Sequence, residues 1–294
     1  MDPLTFEATL EHLRRKAHPV YGFFGPESIT WHLNREAALY LGGMRALLLQ
    51  LAHPAVARGV ALHSRYRQDP WGRALRTFRT VQTMLFGSTE EALTVARRTY
   101  EIHGYVRGNV MLAGKPRMFC ARDEDLLLWV YATLVDSAMM AYETFITPLP
   151  RSTWEQAYEE GKILAQLFGL SLATLPPTLE AFETYMKHML EGPVLQVTPE
   201  AKEITQALFR EASWLRLMAP LNRLLAAAML PEPLREAFEL PWSGQRARAY
   251  RILQKGTRTL IPYLPSWLRE IPAARKARRR LAYHPETNRL QPAA

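Results

Sequence analysis

Apolar residues recur along this chain at the three-and-four spacing of amphipathic helices, and strand-like alternation is nearly absent. Leu4, Leu10 and Leu13 mark one face of a first helix over 3–16. Asn34 is suited to cap a helix over 35–52, and Pro54 restarts the chain into a short helix to about His63. Asp69-Pro70 reads as a cap followed by an N1 proline, opening a helix that Gly87 ends at Phe86. Ser88 and Glu91 form a capping box for the next helix, to about Arg107. The stretch 109–121, with Gly114-Lys115-Pro116, reads as a loop or small hairpin. Asp123 then caps a long apolar helix to about Ile146, and Ser152 with Glu155 reads as a second capping box. Further helices are predicted over 179–190, 199–212, 215–229, 243–261 and 272–281. The fold class is therefore all-α: a single large multi-helix domain over 1–294, with globin-like or bundle-like packing around a central pocket.

Composition narrows the function classes. At 294 residues the chain can bury a core deep enough to hold a ligand, and its average composition excludes disordered or fibrous classes. Cys120 is the single cysteine, so no internal disulfide can form and a reducing, cytoplasmic setting is expected. No basic-then-apolar segment opens the chain, so no signal peptide is expected. The stretch 126–146 has the length of a transmembrane span but carries Asp136 and Glu143, and mid-bilayer carboxylates are costly, so a buried central helix is the better reading. The net charge is +9, with Arg275, Lys276, Arg278, Arg279 and Arg280 gathered in a basic C-terminal helix and tail over 272–294. Anionic lipid or nucleic acid could bind such a cluster. With no interleaved aromatics and no nucleic-acid motif, a solvated helix is expected and no nucleic-acid partner.

No nucleophile elbow, P-loop, dinucleotide fingerprint or zincin motif is present, and one cysteine cannot attach a haem covalently. Candidate chemistry concentrates between residues 32 and 107. His103 shares a helix face with Tyr100, Thr99, Ala96, Val95 and Ala92. That stripe of small residues would let a flat macrocycle approach and leave an imidazole as axial metal ligand, the alternative being a core histidine satisfied by a carbonyl. Arg73, Arg76 and Arg79 recur at intervals of three beside Thr77, Thr80 and Thr83. Their guanidinium forks suit carboxylates, and a solvated stripe is the alternative. Gly42, Gly43 and Ala46 could form a groove for a ring or for a neighbouring helix. His53 before Pro54 could cap the preceding helix's carbonyls.

The runs Arg35-Glu36-Ala37-Ala38-Leu39-Tyr40-Leu41-Gly42-Gly43-Met44-Arg45-Ala46, Ala52-His53-Pro54, Asp69-Pro70-Trp71-Gly72-Arg73, Arg76-Thr77, Phe86-Gly87 and His103-Gly104-x-Val106-Arg107-Gly108 carry a family resemblance, as does 127–137. Taken together, over roughly 20–260, they resemble the bacterial oxygenase family of MpaB-type and latex-clearing rubber oxygenases. The resemblance implies an all-helical protein with one non-covalent haem b, His103 as its proximal ligand, and O2 with an apolar or isoprenoid substrate. It also implies distal roles for Arg73, Arg76 and Thr77, or in the shifted register for Arg76, Arg79 and Thr80. With such a cofactor the small residues Gly42, Gly43, Ala46 and Ala96 and the neighbouring Thr99 are expected around it, as their spacing suggests. The family's upstream glutamate has no counterpart: Asp69 is the only acid between Glu36 and Glu90, and it reads as a helix cap. The alternatives to an oxygenase are a non-catalytic lipid- or isoprenoid-binding protein and a haem-binding sensor or store.

Overall fold

The computed structural model describes residues 1–112, 114–210 and 218–282. Among them the chain is helical except for one hairpin. Helices α1 (Pro3–Lys16), α2 (Ile29–Asn34), α3 (Gly43–Ala52), α4 (Pro54–His63), α5 (Pro70–Phe86) and α6 (Thr89–Tyr105) come first. Strands β1 (Arg107–Leu112) and β2 (Lys115–Cys120) pair antiparallel, Gly108 opposite Phe119 and Leu112 opposite Lys115. Then follow α7 (Glu124–Phe145), α8 (Arg151–Leu167), α9 (Leu179–Glu191), α10 (Pro199–Arg210), α11 (Ala219–Met229), α12 (Glu232–Ala237), α13 (Gly244–Leu260), α14 (Ser266–Arg269) and α15 (Pro272–Ala282). The helix expected over 215–229 begins partly outside the described residues; its described part is α11.

The local rules explain most boundaries. Asp69 accepts from the Gly72 amide at 2.8 Å, and Ser88 with Glu91 closes the capping box at the start of α6. Three expectations are corrected. The helix expected over 35–52 is split: α2 ends at Asn34, a 3-10 turn spans Ala37–Gly42, and α3 starts only at Gly43. The reason is close approach to α7, because a Cβ on Gly42 would lie 2.6 Å from the Ser137 carbonyl oxygen and 2.9 Å from the Ala141 Cβ. Helix α8 starts at Arg151 behind Pro150 with no side-chain cap, so Ser152 lies inside the helix and makes no capping box. The His53 side chain caps α4, its Nδ1 accepting from the Ala55 amide at 3.3 Å, and His53 caps the preceding helix α3 only through its backbone amide, which donates to the Gln50 carbonyl at 3.2 Å.

Helix α7 is the axis of the molecule. Its Trp129 and Ala132 belong to one apolar core with α3, α4, α9 and α10, while Leu127, Leu128 and Tyr131 belong to a second with α1, α6 and α8. Burial on both sides accounts for its apolar run, and no helix among the described residues is long and apolar enough to cross a membrane. Asp136, on this helix, pairs with Arg45 of α3 at 2.5 Å. Arg45 is only 2% exposed and also donates to Ser137 Oγ at 2.8 Å and to the Met229 carbonyl at 2.9 Å. A second buried ionic network ties the chain's C-terminal part to its front. Glu36, 1% exposed, accepts both contacts of the Arg269 Nε at 2.8 and 3.0 Å. Glu270 bridges to Glu36 through the backbone and pairs with Arg278 and Arg35.

Candidate functional site

Helices α5 and α6 are both 17 residues long and joined by only Gly87-Ser88, so they form an antiparallel hairpin. At the usual helical rise Arg73 stands ~20 Å from the hairpin's turn along α5, and His103 ~21 Å along α6. The two therefore sit at the same level, at the end away from the turn. That end of α6 is tied down by side chains that satisfy its last carbonyls. Arg122 Nε donates to the Tyr100 carbonyl at 2.7 Å, the Cys120 thiol to that of His103 at 3.6 Å, and Arg107 Nε to that of Gly104 at 2.8 Å. The Arg122 guanidinium packs directly on Gly104, where a Cβ would lie 2.5 Å from its carbon and would push the side chain aside.

His103 differs from an ordinary core histidine. Its Nδ1 is sealed from solvent without a partner, and neither ring nitrogen makes a hydrogen bond among the described residues. Burial, with the Arg122 charge as the lesser cause, pushes its pKa down to about 4, so the ring is neutral at pH 7. Arg73 is its counterpart in α5. Its guanidinium has no hydrogen-bonding or ionic partner among the described residues, and burial followed by the Arg76 charge pushes its pKa down to about 10.

The other candidates are distributed differently. Arg76 is exposed and pairs with Asp69 at 2.9 Å, and Thr77, also exposed, bonds back to the Arg73 carbonyl. Arg79 is exposed and Thr80 and Thr99 are half-buried, while Ala96 is fully buried in the core that holds Phe6 and Leu10. Gly42, Gly43 and Ala46 line an apolar cavity of about 100 Å³ with Phe78, Val81 and Leu134. A second apolar cavity, also about 100 Å³, adjoins it through the shared Asn34, Leu39, Val81, Leu134 and Ala138, and reaches Tyr131, Trp154 and Tyr158. Neither lining includes His103, Arg73 or Thr77, so the structure does not bring the small residues and the histidine to one cavity wall. Neither includes an aspartate or glutamate. No cluster of three or more histidine, cysteine or acidic side chains suited to a metal occurs among the described residues.

Sequence reasoning missed Arg45 and the Arg122 clamp. Asp136 in an otherwise apolar run was the available signal for Arg45, since a buried carboxylate requires a cation.

The fold is mainly helical and built on an axial helix buried on both sides, with an unpartnered histidine on α6 and an unpaired arginine on α5. Residues 30–259 match the family described as ER-bound oxygenase mpaB/B'/rubber oxygenase, catalytic domain. The chain belongs to that family. It is 28% identical over 229 residues to an uncharacterized protein of Mycobacterium tuberculosis and to one of Mycobacterium bovis, covering 74% of this chain and 88% of each relative. No solved structure matches the chain.

Proposed function

We propose that this chain is a haem-b-dependent oxygenase that uses O2 on an apolar, isoprenoid-like substrate, with the haem held non-covalently through His103. The observation that carries this reading is the state of that imidazole, neutral at pH 7 and without a hydrogen-bond partner among the described residues. A histidine that is to bind iron must offer an unprotonated ring nitrogen, and the clamp on the end of α6 would hold the His103 ring in place. Arg73, at the same level on α5 and lacking a counter-ion, fits a propionate carboxylate by its forked geometry. His103 would thus hold the iron of such a group and Arg73 one of its carboxylates. When bound, haem supplies the one-electron and oxygen chemistry that side chains lack.

The protein's own contribution is placement and exclusion of water. The two adjoining cavities would take an apolar chain, with Gly42 and Gly43 allowing close approach at one end and Asn34, Gln82, Thr30, Ser137 and tyrosine hydroxyls among their polar groups. Arg76, Thr77, Arg79 and Thr80 have no role in this scheme beyond the helix surface they occupy. Arg73 is the arginine of choice for this role, because it is half-buried and unpaired while Arg76 and Arg79 are exposed.

Haemin titrated into the purified chain should saturate at one equivalent with a Soret band, and Arg73→Ala should weaken the affinity about tenfold, the worth of one charge-assisted pair. A chain that takes up no haemin refutes the proposal. The absence of any carboxylate from the cavity linings favours one second reading, a non-catalytic binder of apolar ligands. Ligand that raises the melting temperature of the haem-loaded chain without oxygen uptake would establish that reading instead.

A further inference from the structure

The nine residues Leu260-Ile261-Pro262-Tyr263-Leu264-Pro265-Ser266-Trp267-Leu268 run from the end of α13 through most of α14 and begin where the matched catalytic domain ends. Only Ile261 is turned inward, at 8% exposure, and it anchors the segment. Leu260 is 62% exposed, Tyr263 85%, Leu264 37%, Trp267 62% and Leu268 49%. Five large apolar side chains in nine residues are turned outward, a density that soluble surfaces seldom carry without a partner.

The charge around this patch has one sign. From Gly244 to Arg269 there is no acidic residue, while α13 carries Arg246, Arg248, Arg251, Lys255 and Arg258. On the other flank α15 carries Arg275, Lys276, Arg278, Arg279 and Arg280, and Arg275 Nη1 donates to the Trp267 carbonyl at 2.6 Å, which places this helix against the patch. Arg248, Arg251, Lys255, Lys276 and Arg279 make no ion pair among the described residues. Their charge is available to a partner.

We propose that this segment docks the protein on an anionic membrane surface, with Tyr263, Leu264, Trp267 and Leu268 entering the headgroup layer and the flanking lysines and arginines contacting lipid phosphates. Tyr and Trp suit this depth because their rings are apolar and their polar tips stay wet. Two proline-kinked turns present the side chains without exposing a long run of unpaired backbone. Basic residues on either side add electrostatic attraction, which neither a neutral bilayer nor a neutral protein surface would reward. A nucleic acid would use the cations but has no use for an exposed leucine-rich turn.

The test is co-sedimentation of the full chain with vesicles of phosphatidylcholine containing phosphatidylglycerol, against vesicles of phosphatidylcholine alone. Binding should be at least about tenfold stronger to the anionic vesicles and fall as salt rises. The triple variant Tyr263→Ser, Leu264→Ser, Trp267→Ser should lose about tenfold in binding with an unchanged thermal melt, because all three side chains are exposed. Lys255→Glu with Lys276→Glu should abolish the preference for anionic lipid. The proposal is overturned if the chain ignores both vesicle types, if it binds neutral vesicles equally well, or if the triple variant binds as the parent does. Equal binding of the triple variant to anionic vesicles and to duplex DNA would identify the patch as a general polyanion site instead.

Discussion

Gly42, Gly43 and Gly256 separate two effects that pull in opposite directions. In each case replacing glycine with alanine in a helical backbone stabilises by up to ~1 kcal/mol through the unfolded chain's lost freedom. At Gly42 the new Cβ would stand 2.6 Å from the Ser137 carbonyl oxygen and 2.9 Å from the Ala141 Cβ, both fixed by the backbone of α7. Relief requires moving the 3-10 turn off the axial helix, and overpacking of this sort costs roughly 1–3 kcal/mol. Gly42→Ala should therefore destabilise by ~1–2 kcal/mol net. At Gly43 the obstacle is the Phe78 Cζ at 3.0 Å, the tip of a half-buried ring that can pivot, and the two effects should nearly cancel. Gly256 has no atom within 4 Å of the new Cβ, so Gly256→Ala should stabilise by about 0.5–1 kcal/mol. Urea midpoints at constant slope measure all three. A Gly42→Ala protein as stable as the parent would refute the claim that close packing on α7 breaks this helix.

Three other outcomes follow from the buried charges. Glu36→Gln should cost roughly 2–4 kcal/mol by urea unfolding, because Arg269 and Arg35 would face a neutral amide in a buried site; a loss under 1 kcal/mol would count against the network. His53, like His103, is pushed down to about 4, in its case chiefly by burial. Both histidines bind protons more readily in the unfolded chain, so their stabilising contribution is intact above about pH 6.5 and is lost as pH falls toward 4. By pH 5 this should remove of order 1–2 kcal/mol per histidine, and His103→Gln should shrink the loss measured between pH 7 and 5. Asp69→Ala should cost ~1 kcal/mol by removing the cap of α5, while leaving haemin uptake unchanged, since Asp69 holds only Arg76 and the Gly72 amide.

What was legible in the sequence was what local rules decide. The Asp69 cap, the Ser88–Glu91 box and the hairpin around Gly114 depend on neighbours within a few positions, and they stand where the spacing puts them. The break before Gly43 was not legible, because its cause is a backbone contact 95 residues away on α7. For the same reason the partners of Glu36 and Asp136 could not be read from periodicity, which places residues on faces but not faces against each other. At the site, the spacing put His103 and the arginines on adjacent helices. Only the tertiary structure separates Arg73, half-buried and unpaired, from Arg76, which is held outside by Asp69.

The most direct measurement is the absorption spectrum of haemin-loaded His103→Gly, with and without added imidazole, beside the parent chain. If His103 holds the iron, the variant should bind haemin at least about tenfold more weakly with a shifted Soret band, and imidazole entering the vacated space should restore the parent spectrum. A variant that binds haemin with the parent's affinity and spectrum, indifferent to imidazole, would contradict it.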